Sequence, residues 1–150
     1  MNNNRTEIRR LMIAINKIDG IYYMIAKKEK TKENMLALLY ALSDGKSHSQ
    51  KQICEEWLIP RTTINTVVKE CINNGYVTLT STGRKEKNIE LTDAGKAFTQ
   101  KLLAELFEME EAAINQTIEK YSPDFIDAIE YFTDVMNKKL NDYLGEKQHE

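Results

Sequence analysis

The sequence predicts a mainly α-helical chain with one small β-hairpin, and three observations carry that expectation. Apolar residues recur at alternating spacings of three and four along segments near both ends. Two shorter helical segments in the middle are joined by a brief connection. Directly after them, a segment rich in Thr, Val and Tyr turns back through a charged tip. The expected order is helix, helix, helix, helix, hairpin, helix, helix.

In the first helix, read from about Thr6 to Lys28, the seam is Ile8, Leu11, Ile15, Ile18, Tyr22 and Ile25. After the charged run KKEKTKE, Thr31 is expected to cap a second helix whose apolar positions include Met35, Leu36, Leu38, Leu39 and Leu42. Asp44-Gly45 ends it as a turn. Ser49 followed by Gln52 has capping-box spacing and opens a short third helix through Trp57. Leu58, Ile59 and Pro60 connect it to a fourth, read from Pro60 to about Asn73, with proline suited to a first helical position because its missing N–H would be unpaired there. Asn74-Gly75 suits a left-handed cap.

Tyr76 to Ser81 reads as a strand, Thr82-Gly83 begins a turn, GRKEK follows, and Ile89 and Leu91 alternate in a second strand. Thr92-Asp93 can cap a fifth helix running to about Tyr121, and Ser122-Pro123-Asp124 restarts the chain as a sixth. There Phe125, Ile129, Phe132, Met136, Leu140 and Tyr143 again keep helical spacing. No internal repeat or low-complexity linker interrupts the 150 residues, so a single domain is expected.

The formal net charge is −2, but it is unevenly spread. Residues 1–90 carry 15 Lys or Arg against 10 Asp or Glu, and residues 91–150 carry 6 against 13. A local basic surface can therefore neutralise phosphates although the whole chain is slightly acidic. The start MNNNRTEIRR lacks an apolar signal core, and no stretch approaches the roughly 20 apolar residues that span a bilayer. A cytoplasmic protein with no membrane partner is expected. Cys54 and Cys71 show no zinc-ligand spacing, and only His48 and His149 are present, so neither a metal nor another cofactor is expected.

Two short helices with a tight connection, followed at once by a hairpin with a basic tip, match a winged helix-turn-helix. On the fourth helix, Ile64, Val67, Val68, Cys71 and Ile72 are expected to face inward. Arg61, Thr62, Asn65, Thr66 and Lys69 are left outward, with Thr63 beside them as a further candidate DNA contact. Residues 61, 65 and 69 share one stripe and 62 and 66 its neighbour, a placement from which Asn65 can address adenine and Arg61 guanine or a phosphate. Arg84, Lys85 and Lys87 against Glu86 give the hairpin tip long cations suited to phosphate or minor-groove contact.

Over nearly its whole length the chain resembles the MarR family of bacterial winged-helix regulators. SQKQICEEWLIPRTTINTVVKECINNGYV looks like that family's helix-turn-helix running into the wing, and GRKEKNIELTDAG looks like the wing returning into the fifth helix. Leu91-Thr92 followed by Gly95 is the most family-like short element. The frequent wing pattern, an aspartate two residues before an arginine, is absent: Gly83 and Lys85 stand there.

The resemblance implies a mainly α winged helix-turn-helix with a small β-hairpin wing and N- and C-terminal dimerisation helices. Residues 31–91 would be the DNA-binding part, and residues 5–28 and 92–145 the dimerisation helices. It further implies a homodimer on near-palindromic double-stranded DNA, usually as a repressor, with a small aromatic effector as a further partner. Apolar seams near both termini exceed what a winged core of residues 31–91 needs to cover, in keeping with a dimer.

Tyr22, Tyr23 and Tyr40 are the candidate ligand-lining residues, with core packing as the competing reading of the same aromatics. The peroxide-sensing branch of the family uses a cysteine in the first helix, and this chain has none there. No nucleophile with its base, glycine-rich phosphate loop or paired acids stand out, so no enzyme is expected. The acidic run Glu108 to Glu111 spreads around its helix as a solvated face. A winged-helix module that binds a partner protein rather than DNA remains the alternative, and an enzyme fragment using the fold only for dimerisation is a third.

Overall fold

The computed structural model describes residues 3–81, 83 and 87–146. In chain order the elements are α1 (Asn3–Lys28), α2 (Glu33–Ala41), β1 (His48–Ser49), α3 (Gln50–Trp57), α4 (Arg61–Asn73), β2 (Val77–Ser81), β3 (Lys87–Leu91), α5 (Asp93–Tyr121) and α6 (Asp124–Glu146). The expected order is present, with one addition, the two-residue strand β1. Two compact units divide the chain within α5, one ending at Leu106 and the other starting at Phe107.

The first unit holds the winged helix. Its core is built on α2 and its C-cap, where Met35, Leu36, Leu38 and Leu39 of the helix and Leu42 of the cap are all buried, as the sequence predicts. Each fully buried leucine contributes about 1.5–3 kcal/mol relative to exposure. Ile53 of α3, Ile64, Val67, Val68 and Cys71 of α4, and Leu102, Leu103 and Leu106 of α5 complete the cluster. Ile72, expected inward, is 38% exposed on the flank of α4. Four inward positions already fill the stripe that a 13-residue helix turns to the core, and a fifth falls beyond its edge.

The cap of α2 differs from expectation. Lys32, not Thr31, is the N-cap, and it makes no side-chain cap bond. Thr31 is engaged in ending α1 instead, its N–H donating to the Ala26 carbonyl at 3.0 Å while Lys30 takes a left-handed φ of 53°. At α3 the predicted Ser49 cap is present, with the Gln52 N–H donating to Ser49 Oγ at 3.0 Å. The Gln52 amide does not reach back; it donates to Glu56 Oε1 at 2.8 Å, so only half of the capping box forms.

Pro60 is the N-cap of α4 rather than its first residue. The helix ends in a Schellman motif: Tyr76 N–H donates to the Cys71 carbonyl and Gly75 N–H to the Ile72 carbonyl, each at 2.9 Å. Gly75, at φ +75°, supplies the left-handed residue this closure needs.

The sheet is antiparallel in the order β1-β3-β2, pairing His48 and Leu79 on either side of Ile89. Val77 and Ile89 are buried, while Thr78, Thr80, Asn88 and Glu90 lie toward solvent or half-exposed positions, the alternation of a sheet covered on one face. The hairpin is joined to α5 by Thr92. Its N–H donates to the Tyr76 carbonyl at 3.0 Å, its hydroxyl donates to the Gly75 carbonyl at 2.6 Å, and its Oγ1 accepts from Gly95 N–H at 2.9 Å. The Tyr76 and Phe98 rings stack at 4.2 Å over the same junction.

The second unit contains the remainder of α5 and all of α6. Ser122, at φ +76°, turns the chain, and its Oγ accepts from Asp124 N–H at 3.3 Å. Along α6 the predicted seam is present in sequence, but no described residue of the helix is buried; Phe125 and Phe132 are half-buried, and Met136, Leu140 and Tyr143 are exposed.

Candidate nucleic-acid interface

Burial of one face of α4 fixes which side chains the other presents. With Ile64, Val67, Val68 and Cys71 held in the core, Arg61, Thr62, Asn65, Thr66 and Lys69 are exposed and Thr63 is half-buried. A helix of 13 residues is about 20 Å long, and its first two turns carry the polar stripe. Thr66 donates its hydroxyl to the Thr62 carbonyl at 3.0 Å, which orients that side chain along the helix. Among the described residues, Arg61, Lys69 and Lys87 enter no ion pair, leaving their charges available to an external anion.

Lys87 opens β3 and is exposed, and Gly83 takes φ +77° at the turn. The other two predicted wing cations, Arg84 and Lys85, lie outside the described residues.

The wing is anchored at its base by Asp44 and His48. The His48 ring Nε2 lies 2.9 Å from both Asp44 carboxylate oxygens, and Lys46 N–H donates to Oδ1 at 2.9 Å. The bond to His48 first, and then the Lys46 amide, hold the Asp44 carboxyl below its ordinary range. Elsewhere in the first unit, Lys28 pairs with Glu105; the hydrogen bond and charge of each partner raise the lysine and lower the glutamate.

Of the three tyrosines expected to line a ligand cleft, two come together. Tyr22 meets Tyr40 edge-to-face at 6.0 Å, and Tyr40 meets Trp57 in the same manner at 5.5 Å, forming a ladder from α1 through α2 to α3. Both tyrosines pack against the core cluster, whereas Tyr23 is 54% exposed on another face of α1. Cys71 is fully buried, and burial pushes its thiol up to about 11, so it is neutral and unreactive at physiological pH. No group of three or more metal-ligating side chains occurs among the described residues.

Sequence reasoning misses a cavity of about 510 Å³ at this surface, lined by Ser49 of β1, Lys51, Cys54 and Glu55 of α3, Arg61 from the start of α4, and Lys87 from β3. Its walls come from three separate segments, and no local pattern announces their meeting.

A sequence model of the MarR family matches residues 36–86, the span from α2 through the turn of the wing. Over that span the chain is similar to the MarR family. No curated protein matches the chain by sequence. Solved structures share the MarR-family fold over almost the full chain. A MarR family regulator from Neisseria meningitidis is 22% identical with a TM-score of 0.70, covering 91% of this chain and 97% of its own. A MarR family transcriptional regulator from Silicibacter pomeroyi is 16% identical with a TM-score of 0.70, covering 86% and 93%. A Staphylococcus aureus MarR solved with salicylate and kanamycin is 16% identical with a TM-score of 0.61, covering 93% and 95%. Among the described residues, no helix is long and apolar enough to cross a membrane.

Proposed function

We propose that this chain is a ligand-responsive transcriptional regulator, a repressor that binds a near-palindromic double-stranded DNA as a homodimer in the cytoplasm. The observation that carries the reading is the exposed polar stripe Arg61, Asn65 and Lys69 on α4, whose two cations enter no ion pair among the described residues, set over a buried opposite face in a winged helix similar to that of the MarR family. In this reading α4 enters the major groove. Asn65 and Arg61 read base edges, Thr62, Thr63, Thr66 and Lys69 contribute sugar-phosphate contacts, and Lys87 with Arg84 and Lys85 of the wing anchors the backbone.

Residues 31–91 form the DNA-reading part, and residues 5–28 and 92–145 the dimerisation helices. Two separate observations support a second copy as partner. On α1, Ile8, Ile15 and Ile18 are exposed; on α6, so are Ile129, Met136 and Leu140. Apolar seams of this kind left open in a single chain mark association surfaces. Two copies would carry two recognition helices to half-sites about one helical turn apart.

An aromatic carboxylate is the effector class favoured by the Staphylococcus aureus structure holding salicylate, and Tyr22 with Tyr40 supplies an aromatic wall, Tyr23 standing apart from it. The deciding experiment is duplex binding across a salt series with wild type, Asn65→Ala and Lys69→Ala. Asn65→Ala is expected to lose about 1–3 kcal/mol at adenine-containing positions, and Lys69→Ala to weaken all duplexes alike and lower the salt slope by about one. Intact dimers whose duplex binding neither variant changes would turn the reading toward a protein-binding winged helix.

A further inference from the structure

Two short side chains occupy the centre of the outward face of α4. With Ile64 as reference and a turn of about 100° per residue, the buried positions Ile64, Val67, Val68 and Cys71 share one arc centred close to Ile64 itself. Thr62 and Thr66 then fall about 160° and 200° away, almost opposite the core, while Arg61 and Asn65 lie on one flank at about 60° and 100°. A helix seated in the major groove by its outward face turns the positions opposite the core to the base edges. Flanking positions reach the bases or the phosphate walls only as far as their length allows.

Thr66 is exposed, yet its hydroxyl is already engaged, donating to the Thr62 carbonyl at 3.0 Å. A hydroxyl has one proton to donate, so while that bond stands Thr66 cannot donate to a phosphate, and a phosphate oxygen offers no proton to its lone pairs. The bond draws Oγ1 back over the preceding turn, and the γ-methyl is the group left to face the groove. In the major groove the feature that matches a methyl is the C5-methyl of thymine.

We infer that Thr66 is a specificity-determining residue that reads a thymine through contact between its γ-methyl and the base methyl, with its hydroxyl held inside the helix. The inference rests on the DNA-reading assignment above and narrows the part of Thr66 in it from a sugar-phosphate contact to a base contact. Threonines at both central positions let the α4 backbone come close to the base edges, where longer side chains would hold it off. Asn65, the neighbour in sequence, addresses adenine, so adjacent residues select A·T pairs by two different features, an amide on adenine and a methyl on thymine.

Uracil pairs as thymine does and lacks only this methyl, which makes it the probe. Full-length protein first selects its preferred duplex from a randomised pool, and each thymine of that duplex is then replaced by uracil symmetrically in both half-sites. For wild type, one thymine position is expected to be sensitive, with affinity falling about fourfold per half-site and about fifteenfold for the symmetric pair, the loss of one buried methyl contact in each. Thr66→Val keeps the methyl and removes the hydroxyl; it should bind the thymine duplex within about twofold of wild type and retain the discrimination. Thr66→Ser keeps the hydroxyl and removes the methyl; it should bind the thymine and uracil duplexes alike. Both changes are on the exposed face and leave the core untouched, which circular dichroism checks.

A Thr66→Val protein weakened equally on both duplexes, beside a Thr66→Ser protein that binds as wild type, would assign the hydroxyl to the DNA backbone and overturn the inference. Thymine sensitivity that persists in full in Thr66→Ser overturns it as well, because another residue then reads the methyl, and so does a selected duplex whose thymines can all be replaced without loss. If the pool yields no preferred duplex, the regulator reading itself fails and the thymine contact falls with it.

Discussion

Replacing Gly95 by alanine would place a Cβ 1.8 Å from the Tyr76 carbonyl oxygen and 2.8 Å from its carbonyl carbon, where contacts under 3.0 Å do not occur. The start of α5 must therefore move away from Tyr76 by about 1.2 Å. That displacement breaks the 3.0 Å bond from Thr92 N–H to Tyr76, the 2.6 Å bond from its hydroxyl to Gly75, and the 4.2 Å stack of Tyr76 on Phe98. Two hydrogen bonds at about 1 kcal/mol each and a ring pair at about 1 kcal/mol give roughly 3 kcal/mol, from which alanine's helix preference returns about 0.5–1 kcal/mol. The net loss is about 2–2.5 kcal/mol, a fall in Tm of roughly 4–10 °C for a chain of this size. Thermal denaturation followed by circular dichroism reads it directly. Gly20→Ala on α1, where nothing lies within 4 Å of the new Cβ, is the control and is expected to be neutral or slightly stabilising. An unchanged or raised Tm for Gly95→Ala would refute the argument that the wing is locked to α5 through this contact.

Three further outcomes are expected. Leu58 holds a left-handed φ of 47° with its side chain 73% exposed, so Leu58→Gly relieves backbone strain and loses little packing; urea denaturation should show a gain of about 1 kcal/mol, and a loss would contradict it. Met136→Glu on α6 or Ile18→Glu on α1 should weaken the dimer more than tenfold by light scattering while leaving helicity intact, since either places a charge in an apolar seam; an unaltered mass would remove that seam from the interface. The Asp44 carboxyl, lowered from 3.8 chiefly by His48, stabilises the fold above that ordinary value and loses its contribution as pH falls through its lower folded value, so Asp44→Asn should flatten the stability profile below about pH 4; a carboxyl titration placing Asp44 at or above 3.8 would contradict it.

Long amphipathic helices and the hairpin were legible because their signal is periodic and local: the α2 leucines, the inward face of α4 and the Ser49 and Thr92 caps can all be read within a few residues of chain. Features made by distant pairing were not. Strand β1 is two residues long and exists only because His48 and Ser49 pair with Ile89 and Asn88. Thr31 has the composition of a cap, but the closure of α1 claims its N–H and moves the N-cap of α2 to Lys32. Tyr23 follows Tyr22 in sequence, yet a helix turns adjacent residues about 100° apart, and only Tyr22 reaches Tyr40. The outward stripe of α4 was readable from its spacing, whereas the cavity beside it required residues 49–55, 61 and 87 to be brought together by the fold.

The most direct test of the central claim is binding of the purified dimer to duplex fragments from its own upstream region across a salt series, with scrambled duplex as competitor. Lys69 and Lys87 from each of two chains, each neutralising a phosphate, predict a log–log salt slope of roughly −3.5 or steeper together with preference for one near-palindromic site. A folded dimer with a slope near zero and no preference over scrambled DNA would contradict the account.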